Sequence, residues 1–489
     1  MKRVVLLIAS LVLLGSCKES FLNLTPNTQV STETFYQSAS EFRTAVNAAY
    51  SALQADGLYA NAFSHLAEVP SDNVGILQAG NAQSDFDVFV VTPANASLLA
   101  VYGASYTGIQ RCNVVLNRIE PVALAPVALK NQFIGEARFL RALHYFNLVR
   151  FFGDVPLVLS ETKNIQENYT YGRAPLAQVY EQIIADLTDA EAKLPLAYTG
   201  SDLGRATQGA AKTLLAKVYL TRKAYPQAVA KLKEVIDLAN GATRVYDLAP
   251  RYADNFDPAK SNNAGHRESI FEVQFKTGGL GEGSPYGNTT PPFGAPASIT
   301  GVGNGNGTFM WPTNDIKQAY RANDLRKSAN LDSVRITGTF QTYCKKYLHS
   351  TYGTVPFNSF DSDLNFPLMR FADVLLMYAE ALNEASNGPN AVAYEALNRV
   401  RRRGFGVTNA SVDYPAGLSK EAFFLAVEQE RRLELAFEGH RWFDLVRTDR
   451  AIPVMTSKGS SIKPHQVLFP VPQAEIDINP SKMTQNPGY

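Results

Sequence analysis

Runs of apolar residues spaced three and four apart, each closed by Gly or Pro, limit what this chain can fold into more than any other feature. From Gln132 to Phe152 the spacing selects Phe133, Ala137, Leu140, Leu143, His144, Leu148 and Phe151, the pattern of a helix with one buried face. Gly153-Asp154-Val155-Pro156 then stops it, because both Gly and Pro interrupt helices. Pro175 to Leu194 repeats the theme, with Pro in the first turn and Val179, Ile183, Leu187 and Ala190 on one face. An earlier run begins at Thr32-Glu33-Thr34-Phe35 and passes through Phe42, Val46, Ala49, Tyr50 and Leu53. Such a chain buries helix against helix.

The helices come in pairs. Leu215, Ala216, Tyr219, Ala228 and Leu232 stand at the offsets of the Leu, small, Tyr, Ala and Phe positions of the tetratricopeptide pattern. Small residues there let two helices approach, and large ones fill the gap between them. Phe371 to Ala385 and Ala391 to Arg402 form a second hairpin across Asn387-Gly388-Pro389, with Leu397 and Val400 inward. Glu421 to Arg447 reads as one further long amphipathic helix. Between Asn240 and about Phe366 this periodicity fades. Ser269 to Phe275 alternates like a strand, and Thr277 to Gly307 is rich in Gly, Pro, Asn and Ser. A loop region that long inside a compact protein is usually functional. No flexible linker interrupts the chain, so one large domain over residues 32–489 is expected, with residues 240–366 as a loop-rich insertion.

Charge excludes one class of partner. The 46 basic residues nearly match the 45 acidic ones, for a net charge of +1. No clustered cationic excess is available to neutralise phosphates, so nucleic acid is not an expected partner. The N-terminus carries the most specific local signal. Lys2 and Arg3 precede an uncharged run from Val4 to Leu14, which ends in Leu14-Gly15-Ser16-Cys17. That run is too short for a mature membrane span and reads as a signal peptide over residues 1–16. A Cys at the cleavage point resembles a bacterial lipobox, which implies lipid on Cys17 and an extended segment over 17–31. Lys18-Glu19 resembles the short signal that sends lipoproteins to the outer face of the outer membrane. Cys112 and Cys344, the two remaining cysteines, form either one disulfide or two buried thiols.

Familiar catalytic signatures are missing. Gly279-Leu280-Gly281-Glu282-Gly283-Ser284 lacks the glycine spacing and the following helix of a dinucleotide loop. There is no phosphate loop, no His-Glu-x-x-His and no nucleophile elbow, and the six His show no metal-ligand spacing. His144, inside a helix, reads as a core histidine. Glu434, Glu438, His440 and Asp444 read as structural, with Arg431–Glu434 and His440–Asp444 as helix-neighbour pairs. Leu433, Phe437 and Trp442 read as packing residues. Sequence alone leaves open a glycosidase with two distant carboxylates.

These residues meet a resemblance. The lipobox, Ser71-Asp72-Asn73, Glu136-Ala137-Arg138-Phe139-Leu140-Arg141-Ala142 and Arg150-Phe151-Phe152-Gly153-Asp154-Val155-Pro156 resemble the SusD/RagB family. So do Glu430-Arg431-Arg432, Phe437-Glu438-Gly439-His440-Arg441-Trp442-Phe443-Asp444-Leu445, Leu468-Phe469-Pro470-Val471-Pro472 and Asn486-Pro487-Gly488-Tyr489. The resemblance spans nearly the whole mature chain in the family's order. It implies a mainly α fold, with tetratricopeptide-like hairpins in a right-handed superhelical scaffold and a loop-rich region carrying a few short strands. It also implies a lipid-anchored outer-membrane protein that captures oligosaccharides for a SusC-like TonB-dependent transporter, with no catalysis and no cofactor.

Sugars present an apolar C–H face and a hydroxyl rim, which aromatic planes and Asn, Asp or Arg recognise respectively. Trp442 falls in a scaffold motif, whereas Trp311 lies in the irregular region. Trp311 is therefore the first ligand candidate, followed by Tyr286 and Phe309. The resemblance adds the segment carrying Asp72, Asn73, Phe86 and Phe89, where Asp72 and Asn73 would either touch ligand or brace a loop. A peptide-binding member of the family, a secreted hydrolase and a purely structural scaffold are the competing readings.

Overall fold

The computed structural model describes residues 35–76, 80–240, 245–262, 266–300, 310–348 and 360–489. The expected leader at 1–16, Cys17, the expected extended segment 17–31 and Phe309 lie outside them.

Helix α1 (Ala39–Ser51) starts on a capping box between Ser38 and Glu41, which satisfies amides that a helix start leaves unpaired. Then come α2 (Ala96–Ile119), α3 (Val127–Phe152), α4 (Leu176–Lys193), α5 (Gln208–Thr221) and α6 (Tyr225–Asn240). Helix α3 stops at Gly153, whose φ of 72° is one that glycine tolerates. Each helix packs on its successor, from α1 on α2 to α5 on α6. The partner of α6 in turn is α7 (Phe371–Ala385), although residues 241–370 intervene. Helices α8 (Ala391–Phe405) and α9 (Lys420–Glu434) complete the stack. The tetratricopeptide-like hairpins are therefore α5–α6 and α7–α8, and the irregular region is an insertion between them.

Small residues set the spacing. Ala210, Ala211, Ala216 and Ala228 are buried in the α5–α6 hairpin. Gly108 of α2 faces the His144 ring of α3, where a Cβ would lie 2.1 Å from Nε2. His144 is fully buried with neither ring nitrogen hydrogen-bonded. Burial, helped by the Arg111 charge, pushes its pKa down to about 3. It is a neutral core residue.

The insertion is tied to the scaffold at its neck. Its first strand, β2 (Ser269–Val273), pairs antiparallel with its last, β6 (Phe366–Arg370). Between them lies a hairpin of β4 (Leu331–Ile336) and β5 (Thr339–Cys344). At the neck, Arg370 donates to Glu438 at 2.8 and 2.9 Å and to Glu268 at 2.5 Å. Arg403 joins Glu268 to Glu434. Arg326 contacts Glu430 at 2.6 Å and Asp324 at 2.8 Å, and Lys346 contacts Glu438 at 2.6 Å. All of these side chains are buried. Burial opposes ionised Glu268 and Glu434, but the Arg403 and Arg370 charges outweigh it and hold both carboxyls low. Ionic contacts here do what apolar faces do between the helices.

Two expectations are corrected. The predicted helix over 421–447 breaks after Glu434 and resumes as α10 (Arg441–Arg447), because Phe437 and Gly439 adopt φ of 68° and 75°. At Gly439 a Cβ would lie 2.6 Å from the Phe63 ring. The predicted Arg431–Glu434 pair is also not what forms. Arg431 holds Asp444 at 2.9 Å and Asp373 at 2.8 Å, and Glu434 goes to the neck. His440 Nδ1 lies 3.3 Å from Lys217 Nζ. Cys112 and Cys344 are free buried thiols, each pushed up to about 12 by burial. Among the described residues no helix is long and apolar enough to cross a membrane.

Candidate functional site

An arginine clamp positions the loop face of the insertion. Arg441 of α10 grips both oxygens of Asp72, at 2.7 and 2.9 Å, the paired geometry that suits a guanidinium. Arg432 of α9 donates to Asn73 Oδ1 at 2.8 Å and to the Asp72 carbonyl at 3.0 Å, and pairs with Asp315 at 2.5 Å. Burial works against an ionised Asp72, yet the hydrogen bonds and charge of Arg441, with the charge of Arg432, hold its carboxyl below the usual range. Asp72 is 4% exposed and Asn73 0%. Of the two roles open in the sequence, the structure gives them the brace.

The clamped turn leads into β1 (Val74–Gly75), which pairs with β3 (Trp311–Pro312). Gly75 stands opposite Trp311. Thr313 locks the pair, its N–H donating to the Asn73 carbonyl at 3.0 Å and its hydroxyl to the Asp72 carbonyl at 2.7 Å. Trp311 is left half-buried beside a partner with no side chain. A Cβ on Gly75 would meet nothing closer than Asp87 Oδ2, at 3.8 Å. Asp87, itself half-buried, accepts the Ile76 N–H at 3.0 Å, and burial raises its pKa. An indole platform, a bare backbone and a carboxylate thus share one edge.

Strand β3 also packs on β5 of the neighbouring hairpin. There Phe340 is 72% exposed, with the Arg335 guanidinium 6.0 Å from its ring centre. Phe293 is 73% exposed beside Gly294, where a Cβ would lie 3.4 Å from Ile336 of β4. Sequence reasoning missed Phe293, Phe340 and Asp87. The alternation Thr339-Phe340-Gln341-Thr342 carried a strand signal that would have set Phe340 among polar neighbours.

The other aromatic candidates are interior, which corrects their expected exposure. Tyr286 is 1% exposed, bonds Ser64 Oγ at 2.8 Å and stacks on Phe366 with centroids 5.3 Å apart. Phe86 packs edge-on to Phe469 at 5.2 Å, and Phe89 packs on Trp442 at 5.8 Å. All three fill core positions. The glycine-rich turn is occupied as well: Asp361 accepts the N–H groups of Gly278 and Gly279 at 3.0 and 2.8 Å, so the protein's own carboxylate sits where an anion would. Among the described residues no cluster of three or more His, Cys, Asp or Glu could hold a metal.

The site and fold together are a serial stack of helical hairpins presenting a loop-borne aromatic edge. Residues 325–489 match the profile of the SusD family, and residues 20–220 match a second profile described as "Starch-binding associating with outer membrane". A SusD-like protein of Formosa agariphila is 28% identical, with 97% of each chain covered. A SusD-like protein of Bacteroides ovatus is also 28% identical, over 93% of this chain and 84% of its own. Among solved structures, a SusD homolog from Bacteroides thetaiotaomicron superposes with a TM-score of 0.80 at 26% identity, covering 95% of this chain and all of its own. A laminarin-binding SusD-like protein gives 0.77 at 27% identity, over 93% of this chain and all of its own. The chain belongs to the SusD/RagB family of outer-membrane proteins.

Proposed function

We propose that this chain is a cell-surface lipoprotein that captures oligosaccharides on the loop face around Trp311 and passes them to a SusC-like TonB-dependent transporter, without chemistry on the sugar. The carrying observation is the edge itself. Trp311 offers a half-buried indole for a pyranose C–H face, Gly75 leaves room for the ring, and Asp87 supplies an acceptor for hydroxyls. Exposed Phe293 and Phe340 extend the apolar surface along one side. Family membership supports the outer-membrane setting and the transporter partner. Removal of residues 1–16 and lipid on Cys17 would tether the protein to that membrane, with the hairpins in a right-handed superhelix as its rigid body.

A glycan array with the soluble chain starting at Lys18 tests this, followed by calorimetry and assay for released products. Laminarin belongs among the first probes, given the ligand of the laminarin-binding relative. Saturable binding without cleavage is expected, and Trp311→Ala should weaken it about tenfold, or ~1.4 kcal/mol, with an unchanged circular-dichroism spectrum. Full affinity in that variant removes Trp311 from the site. Silence across plant, host and microbial glycans, with binding to peptide pools, would replace sugar by peptide.

A further inference from the structure

On a different face, two adjoining cavities of about 630 and 290 Å³ open along α2. They share Gly103, Tyr106, Val158, Ile165 and Asn168. The smaller reaches the short helix α11 (Gln473–Ile478), which contributes Glu475, and four tyrosines line it: Tyr102, Tyr106, Tyr169 and Tyr171. Its walls are braced. Asn479 donates to the carbonyls of Tyr169 and Tyr171 at 2.9 and 3.0 Å, and the Tyr106 hydroxyl donates to the Pro156 carbonyl at 2.7 Å.

Two features of this cavity, Gly103 and Glu475, have no explanation inside the chain. Gly103 sits in the middle of a helix, where glycine is unfavourable, yet a Cβ there would meet nothing within 4 Å. The Tyr102 hydroxyl, on a residue 2% exposed, has the Tyr106 hydroxyl as its hydrogen-bonding neighbour, and Tyr106 is itself committed to the Pro156 carbonyl. Among the described residues Glu475 has no ion pair, and burial alone raises its pKa. The cation next to the Tyr102–Tyr106 pair, Arg173, is committed to the carbonyls of Asp154, Phe152 and Thr484 and to the Asn486 side chain. Arg111 and Lys163 line only the larger cavity.

We propose that the smaller cavity binds an organic ammonium group, with Glu475 as its counter-ion and the tyrosine rings as its cage. Tyr102 and Tyr106 lie with ring centres 4.9 Å apart and tilted by 40°, so they present two walls rather than one plane. Aromatic faces attract cations, most strongly where water is displaced. An anion would be repelled by Glu475. A purely apolar guest would cover the half-buried carboxylate without giving it a partner, which is costly. An alkylammonium satisfies the carboxylate, and its methyl or methylene groups fit against Val158, Ile165 and Ile478. Gly103 leaves the floor open for it. This site is separate from the Trp311 edge and does not depend on the sugar reading.

The test is calorimetric titration of the mature chain with choline, with its neutral carbon isostere dimethylbutanol and with pentylammonium. At least one of the two cations should saturate and the isostere should not. Glu475→Gln should weaken the cation roughly tenfold or more while the melting temperature stays put, since Glu475 is half-exposed. Gly103→Leu, which fills the floor, should abolish binding. Equal affinity for dimethylbutanol, an unaffected Glu475→Gln variant, or no saturation by either cation would overturn the proposal.

Discussion

The helical stack and the insertion are held by different balances of the same forces. Between α2 and α6 the contacts are mostly apolar faces brought close by Ala and Gly, with His144 neutral among them and one buried ion pair, Arg141–Asp186 at 2.7 Å, between α3 and α4. The insertion is joined at its neck by Arg326, Lys346, Arg370 and Arg403, set against Glu268, Glu430, Glu434 and Glu438. Apolar packing is non-directional and tolerates drift in sequence. A buried guanidinium needs its acceptors at defined places, and losing one leaves an uncompensated charge. The neck therefore fixes orientation in a way that the stack does not, and the loop face inherits that orientation.

The sharpest way to break this contrast is Arg370→Met. Loss of one centre of the neck should cost about 3–5 kcal/mol in urea unfolding. Hydrogen exchange should quicken in β2 and β6 before α3–α5. A uniform loss of protection across both regions would mean that they are one cooperative unit held by the same balance. In the stack, Gly108→Ala should cost about 1–3 kcal/mol, because the new methyl overlaps the His144 ring. Its neighbour Gly103→Ala should instead stabilise α2 by about 0.5–1 kcal/mol. Thermal melts of the two variants should move in opposite directions.

Acid separates the regions more gently. His144 has its pKa lowered from 6.5 to about 3, so the folded chain refuses a proton that the unfolded chain accepts. Its contribution is complete above pH 6.5 and is lost as pH falls toward 3, by at most ~1.4 kcal/mol per pH unit. The neck carboxylates, also held low, begin to lose their contribution only below about pH 4.5, where they protonate in the unfolded chain. Glu68 slopes the other way, since burial holds it protonated up to about 8. Comparing wild type with His144→Leu isolates the histidine: between pH 6.5 and 4.5 the variant should show the flatter acid limb. Parallel curves would show that His144 titrates normally.

The stack was largely legible in the sequence, because a helix buries one stripe at a spacing the eye can follow. Helix α3 ends at the predicted Gly153, the α5–α6 hairpin falls where the tetratricopeptide offsets put it, and the α7–α8 hairpin turns at the predicted Asn387-Gly388-Pro389. Helix α2 was missed, since Gly103 and Gly108 punctuate it and neither breaks it. The β4–β5 hairpin was missed because it lies inside the stretch read as irregular and its alternation at Thr339-Phe340-Gln341-Thr342 is short. The site was much less legible. The family resemblance nominates Asp72 and Asn73 with ligand contact and bracing both open, and only the positions of Arg432 and Arg441 show that they point inward. Tyr286, Phe86 and Phe89 failed similarly, since an aromatic residue in a loop segment carries no mark of which way it turns. Half-burial at Trp311 likewise emerged only from its pairing with Gly75.

The Asp72–Arg441 clamp joins positions 369 apart in the chain. No ribosome can deliver that contact until almost the whole polypeptide exists, whereas α2 to α6 find their partners next door. The early hairpins can therefore assemble as the chain emerges, and the loop face must wait for the last helices to arrive. Truncation after α8 would leave the α1–α6 hairpins able to pair while the ligand edge has never been set.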